Sequence, residues 1–320
     1  MKTCIPLYIF LGILSSAAAE KKAQLPDAKV AVCVVGEDYR PIEGAKVRLG
    51  FKDKTSWEQK LVEGKTDLQG LFTGEGASDS VVGSDIKKEG YYDGSAPILH
   101  FRDAKDGRWQ PWNATYTNVL RKIEKPIPMY ARSFRELTIP EIQKPCGFDL
   151  EVGDWVAPYG KGKLADFIMT LQREYENRNK FDVSVVINFS NPLDGIQEIQ
   201  LPSEWRSSVF KWPYLAPDTG YGTSLTAQFG AIPGHGIHDT ASEKQAYFFR
   251  IRTVEQNGKI VSALYGKIKG GIGLEGRETK TCSVAFTYDL NPTSLDRNME
   301  FDLKKNLFKN LKDEEQPREP

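Results

Sequence analysis

Cysteine and histidine are scarce in this chain, with four and three among 320 residues, and neither charge sign is in excess, at 43 basic against 43 acidic side chains. Cys4 lies in an N-terminal leader, which leaves Cys33, Cys146 and Cys282. Three thiols form at most one disulfide, so the chain cannot be a disulfide scaffold. A balanced charge supplies no field that draws the molecule to nucleic acid or anionic lipid, and no nucleic-acid partner is expected. Long apolar runs are also missing. The longest, Ile5 to Leu14, falls short of the roughly 20 residues that cross a bilayer, which excludes a helical membrane span on this reading. Familiar catalytic spacings are absent too: there is no H-E-x-x-H, no G-x-S-x-G and no P-loop. A metallocarboxypeptidase pair His-x-x-Glu is missing, because Asp103, His238 and Ala241 stand three residues after His100, His235 and His238.

What is present points to β structure. A hydrophobic content of 40% suffices for a core, and 28 glycines with 18 prolines imply frequent turns. Met1 to Ala19, with Lys2, the apolar Ile5 to Leu14 and Ser15-Ser16-Ala17-Ala18-Ala19, reads as a secretory signal cleaved near Ala19, so an exported, periplasmic or secreted protein is expected. Residues 20–28 then form a short linker. Val30 to Val35 is apolar throughout, as in a strand covered on both faces, and Ala45, Val47 and Leu49 alternate with charged residues. Asp67 to Gly70 brackets a tight reversal.

The succession of that apolar strand, Pro41-Ile42-Glu43-Gly44-Ala45-Lys46-Val47, Thr66-Asp67-Leu68-Gln69-Gly70-Leu71-Phe72 and Glu89-Gly90-Tyr91 resembles the carboxypeptidase regulatory-like, or transthyretin-like, β-sandwich family. The resemblance covers about a quarter of the chain, residues 29–102. Domains of this kind are non-catalytic appendages related to carbohydrate-binding sandwiches, so the resemblance implies a binding or spacer module. Asp149 to Val156, Tyr247 to Ile268 and the stretch from Asn291 to Asp302 are similar to exported bacterial proteins that carry the same module, which implies a bacterial envelope setting.

Residues 103–146, with Trp109, Trp112 and several prolines, read as a packed connecting strap. A second β-rich domain, mostly antiparallel with long loops, is expected over 147–305. Its clearest unit is the hairpin Tyr247 to Tyr265 around Asn257-Gly258, with Phe249 and Ile251 on one face and Arg250 and Arg252 on the other. Leu164 to Tyr175 fits both a helix and a strand; the strand that follows, Phe181 to Phe189, favours a hairpin partner. The polar tail 306–320 is expected to fray. The fold class is thus all-β, a transthyretin-like sandwich followed by a larger β domain.

Three sets of residues are candidates for function. Trp109, Trp112, Trp205, Trp212, Tyr214 and Tyr221 occupy loop-like stretches, where rings either stack on sugars or cap a β core. His235, His238 and Asp239 cluster in a glycine-rich loop, with ligand types that suit a divalent metal or a metal-dependent hydrolase, against a plain solvent-facing loop. Asp296, Asn298, Glu300 and Asp302 alternate as a solvated polar face or as oxygen ligands for calcium. Gly271 to Gly276 matches G-x-G-x-x-G but precedes a strand, so a glycine-rich turn is expected there, and no cofactor. Cys33 and Cys282 sit in strand-like runs as small buried hydrophobes. The combined expectation is an exported, non-catalytic protein that binds carbohydrate, or docks an envelope protein through a strand edge.

Overall fold

The computed structural model describes residues 25–320 apart from 55, 96–98, 243 and 278–280. The proposed signal lies outside the described residues. The strands in chain order are β1 (Asp27–Val35), β2 (Lys46–Lys52), β3 (Gln59–Lys65), β4 (Leu71–Ala77), β5 (Val81–Lys87), β6 (Leu99–His100), β7 (Asp103–Lys105), β8 (Arg108–Gln110) and β9 (Ala114–Val119). There follow β10 (Ile127–Thr138), β11 (Pro145–Asp149), β12 (Asp154–Trp155), β13 (Phe167–Asn177), β14 (Lys180–Asn188), β15 (Gly195–Gln200), β16 (Ser224–Ile232), β17 (Gly236–Asp239), β18 (Gln245–Gln256), β19 (Lys259–Glu275), β20 (Ser283–Asn291) and β21 (Phe301–Asn306). The molecule is all-β, with two short 3-10 turns among the described residues, and none of its described helices is long and apolar enough to cross a membrane.

β1 to β9 build the first unit. β1 pairs with β4 on one side and runs parallel to β9 on the other, whereas β2 pairs with β3 and β5; the two halves meet at the single register pair Lys52 and Ala77. The alternation of β2 puts Val47, Leu49 and Phe51 inside against Val30, Val32 and Val34 of β1. This is a sandwich core built from period-two side-chain placement. Gly44 and Gly70 adopt positive φ at the turns where the sequence places them.

The remaining strands form two six-stranded sheets, ordered β15-β18-β19-β20-β10-β21 and β12-β11-β13-β14-β16-β17. Between them lies one large core that includes Phe134, Phe148, Phe167, Phe249, Phe286 and Tyr288. The 164–176 ambiguity resolves to strand, because β13 gains a full ladder with β14 from Ile168 opposite Asn188 to Tyr175 opposite Phe181. The Asn257-Gly258 hairpin forms with both turn residues at positive φ.

Two expectations need correction. The 103–146 segment is no separate strap: β7 to β9 complete the first sheet and β10 enters the second sandwich, since Ala114 to Val119 finds a free edge beside β1. The tail is held rather than frayed, with Phe308 packed on Tyr130 and Tyr288 and Glu315 paired with Arg132 at 2.5 Å. Arg252, expected only on the face away from Phe249 and Ile251, has a defined setting. A register break after Ile251 and a φ of 54° turn it towards a cage of Asp149, Glu151 and Asp166.

Candidate functional site

His235 and His238 lie on the hairpin of β16 and β17, at the end of a sheet whose outer face is polar. Register pairing places Glu174, Asp182, Gly230 and His238 in one row across β13, β14, β16 and β17. Gly230 supplies the space for this row. A Cβ there would stand 2.3 Å from His238 Cε1 and 2.8 Å from Asp182 Oδ1, so only glycine lets the imidazole lie across the strand. His238 Nε2 then sits 2.9 Å from Asp182 Oδ1, and Gln228 Nε2 donates to both Asp182 oxygens at 3.0 and 3.2 Å. The pair is more than one-third exposed, at 37% and 38%, so it shapes the site more than it stabilises the fold.

Around the row lies an open groove of about 800 Å³ whose lining includes Tyr175, Glu176, Lys180, Ile232 and His235. Tyr175 is 47% exposed and its ring is braced by the Arg173 guanidinium, 4.4 Å from the ring centroid. The groove is thus lined by carboxylate, amide and imidazole groups on the face of Asp182 and, from the strand ends, by the ring of Tyr175, which as the register partner of Phe181 belongs to the other face; together these are groups that can meet hydroxyls and the C–H face of a sugar.

The structure divides the proposed metal set. His235 and His238 line the groove, whereas Asp239, opposite Phe229 in the ladder, accepts from the Ala241 N–H at 2.8 Å outside it. Among the described residues no three His, Cys, Asp or Glu side chains are arranged to hold a metal ion. The carboxylate that His238 does meet, Asp182, lies 56 positions away in sequence, beyond any local motif. Its one sequence signal is the alternation of Phe181 to Phe189, which puts Asp182 and Ser184 on the face opposite Phe181 and Val183.

The six aromatics do not converge on one pocket. Trp109 stacks on Phe101 and donates its indole N–H to Ser78 O, and Arg108 covers Trp112 at 4.8 Å; both are in the first unit. Trp205 and Tyr214, together with Phe210, box the guanidinium of Arg121, at 3.9, 4.5 and 4.7 Å to the ring centroids. Arg121 is 1% exposed, pairs with Glu37 of the first unit at 2.9 Å and donates to Trp212 O. Trp212 is buried against Phe248, and Tyr221 donates to Pro217 O beneath Arg250. Trp205 and Tyr214, with Phe210, therefore close the junction between the two units and already hold a cation, the chain's own arginine, whereas Trp212 and Tyr221 pack on residues of the second unit.

The polar series ending at Asp302 also turns inward. Glu300, 1% exposed, accepts from Tyr92 Oη and from the N–H groups of Glu124 and Lys125, while Asn298 donates to Lys125 O. The Glu300 carboxylate and the Asn298 amide N–H thus fasten the connector between the units, while Asp296 and Asp302 accept from the nearby Asn298 and Lys304 N–H groups. Gly271 is required by packing, since a Cβ would stand 2.6 Å from Ser242 N. Cys146 and Cys282 are buried and Cys33 is half-buried; desolvation pushes the Cys33 and Cys282 thiols above their ordinary value, which leaves them poor nucleophiles.

No family model matches the chain, and no curated protein matches its sequence. Solved structures with some likeness include a 3-chlorocatechol 1,2-dioxygenase from Rhodococcus opacus (14% identity, TM-score 0.25, 32% of this chain). The alignment spans 63% of the dioxygenase. Others are a candidate carbohydrate binding protein from Bacteroides uniformis (10%, TM-score 0.21, 85% of this chain and 99% of that one) and a streptococcal ancillary pilin (12%, TM-score 0.20, 73% and 57%). Likenesses of this size leave the function to be argued from the groove.

Proposed function

We propose that this chain is an exported, non-catalytic binding protein of the cell envelope that takes carbohydrate in the groove beside β17. The observation that carries this reading is the row of Glu174, Asp182, Gly230 and His238, in which a glycine notch fixes an imidazole on a carboxylate at the mouth of an open groove. Asp182 offers acceptor lone pairs to sugar hydroxyls, Gln228 adds a donor and Tyr175 supplies a ring face. The polar groups are thereby set in place before the ligand arrives, which limits the ordering cost of binding.

A glycan array with the mature protein tests this reading. Asp182→Ala and Tyr175→Ala should each weaken binding about tenfold, the size of one lost charge-assisted hydrogen bond or ring contact. Binding that survives both substitutions overturns the groove, and binding that falls on Trp109→Ala or Trp112→Ala moves the site to the first unit. A second reading rests on β17 being the terminal strand of its sheet, with Ile237 61% and Ile232 53% exposed, an edge that can accept a strand of an envelope protein. An envelope protein that co-purifies with the chain and is lost on a proline in β17, with no glycan bound, would favour that edge.

A further inference from the structure

Away from the groove, on the opposite sheet, two ionisable side chains are sealed in the interior. Lys267 of β19 and Asp289 of β20 are direct register neighbours, and both are fully buried. Lys267 Nζ stands 3.3 Å from Asp289 Oδ2 and donates to Met299 O at 2.7 Å. Lys269 Nζ approaches the same oxygen to 2.9 Å and retains 13% exposure. Both lysines lie within ion-pair distance, yet neither carboxylate oxygen of Asp289 has a partner in hydrogen-bond geometry among the described residues. Phe210 and Trp212 lie over the Lys267 nitrogen, each 5.4 Å away at the ring centroid. A buried carboxylate with no directed donor is costly, and nothing in the groove uses it.

We propose that Lys267 and Asp289 condense to a side-chain amide, an internal cross-link between β19 and β20. The reaction needs a free amine held against a carboxyl carbon with water excluded. Burial, stronger than the opposing pull of Asp289, brings Lys267 down to about 7, so much of it is the uncharged nucleophile at neutral pH. Its lone pair attacks Asp289 Cγ, and the Lys269 ammonium stabilises the oxyanion. The departing oxygen takes one proton from the Lys267 nitrogen and one from Lys269 and leaves as water, after which Lys269 regains a proton from solvent. One C–N bond forms, one C–O bond breaks, and nothing is oxidised or reduced. The other nearby carboxylate, Glu300, is occupied by Tyr92 Oη and two backbone N–H groups and stays outside the step. The product suits the site better than the reactants: two buried ionisable groups become one neutral amide, whose N–H still faces Met299 O and whose carbonyl still faces Lys269.

Peptide and intact-mass spectrometry of the folded wild-type protein tests the proposal. The expected result is a mass one water below that of the linear chain, with a branched tryptic peptide joining the Lys267 and Asp289 segments and no cleavage after Lys267. Lys269→Gln should slow the closure and give a mixture of linked and unlinked chains. Lys267→Arg should show the full mass, and the wild-type chain kept in denaturant from synthesis onward should show it too, because the reaction depends on the fold. Folded wild-type protein that keeps its full mass and yields two separate linear peptides after prolonged incubation at mildly basic pH overturns the proposal, whatever the variants do.

Discussion

Arg252 joins groups that are far apart in the chain. Its guanidinium meets Asp166 at 2.8 Å, Asp149 at 3.2 Å and the Glu151 carboxylate, while Asp194 receives the N–H groups of Arg252 and Thr253. Asp149 and Asp166 have side-chain exposures of only 3% and 2%, so removal of the arginine strands two buried carboxylates. Arg252→Ala should cost about 3–5 kcal/mol in urea unfolding, the range for one partner lost from a buried pair. The carboxyls respond oppositely to pH. Burial raises Asp149, but the N–H groups of Lys163, Leu164 and Val152 and the Arg252 charge outweigh it and hold the carboxyl below its ordinary value. Burial prevails at Asp166, which is raised. A depressed carboxylate stabilises the fold above its unfolded pKa, and that contribution disappears as pH falls through the folded value. The stability gap between wild type and Asp149→Asn should therefore be full at pH 7 and close as pH drops below about 4, followed by urea midpoints across that range. Asp166 has the reverse sign: its ionisation penalises the fold, and the penalty eases as it protonates.

At the scale of single elements, the β16-β17 hairpin depends on a side chain that is absent. Gly230→Val places a methyl-bearing carbon where His238 now lies and should turn the imidazole off Asp182. Glycan affinity should fall about tenfold in titration calorimetry while the far-ultraviolet spectrum keeps its β signature. Unchanged affinity would separate the notch from binding. Most elements are legible locally. The alternation of β2, the Asn257-Gly258 turn and the Asp67 to Gly70 reversal, where Asp67 Oδ1 accepts from the Gln69 and Leu71 N–H groups, are written in adjacent residues. β9 is different. Ala114 to Val119 is β-prone, but the prolines and tryptophans around it suggest a strap, and its pairing with β1 lies some 80 positions back along the chain. The tail misleads for a similar reason, since its polar composition predicts fraying while Arg132 and Tyr288 wait on distant strands.

For the whole molecule, the decisive contact is the aromatic box on Arg121. Glu37 comes from the first unit, Arg121 from the connector, and Trp205, Phe210 and Tyr214 from a loop of the second, so one guanidinium couples three regions. Arg121→Met should lower the stability of the junction by about 3 kcal/mol and split a single calorimetric transition into two, with new protease cleavage between the units. A single transition at an unchanged midpoint would show that the units couple by other contacts.

The sequence by itself determined the all-β class, the first unit's turns and the hairpin of the second, because period-two alternation and turn chemistry act between neighbouring residues. It also marked His235 and His238 as unusual. Only the tertiary structure decided the partner of His238, since Asp182 reaches it across two strand pairings and over a glycine that reads locally as mere punctuation. It likewise decided what Trp205 and Tyr214 do: spacing shows that rings are present, but which surface they cover follows from the docking of one unit on the other, a long-range balance of apolar burial and one buried cation. The near-neutral composition gave no hint of Lys267 beside Asp289, because a cross-strand neighbour is set by register, and register is fixed by the packed sheet as a whole.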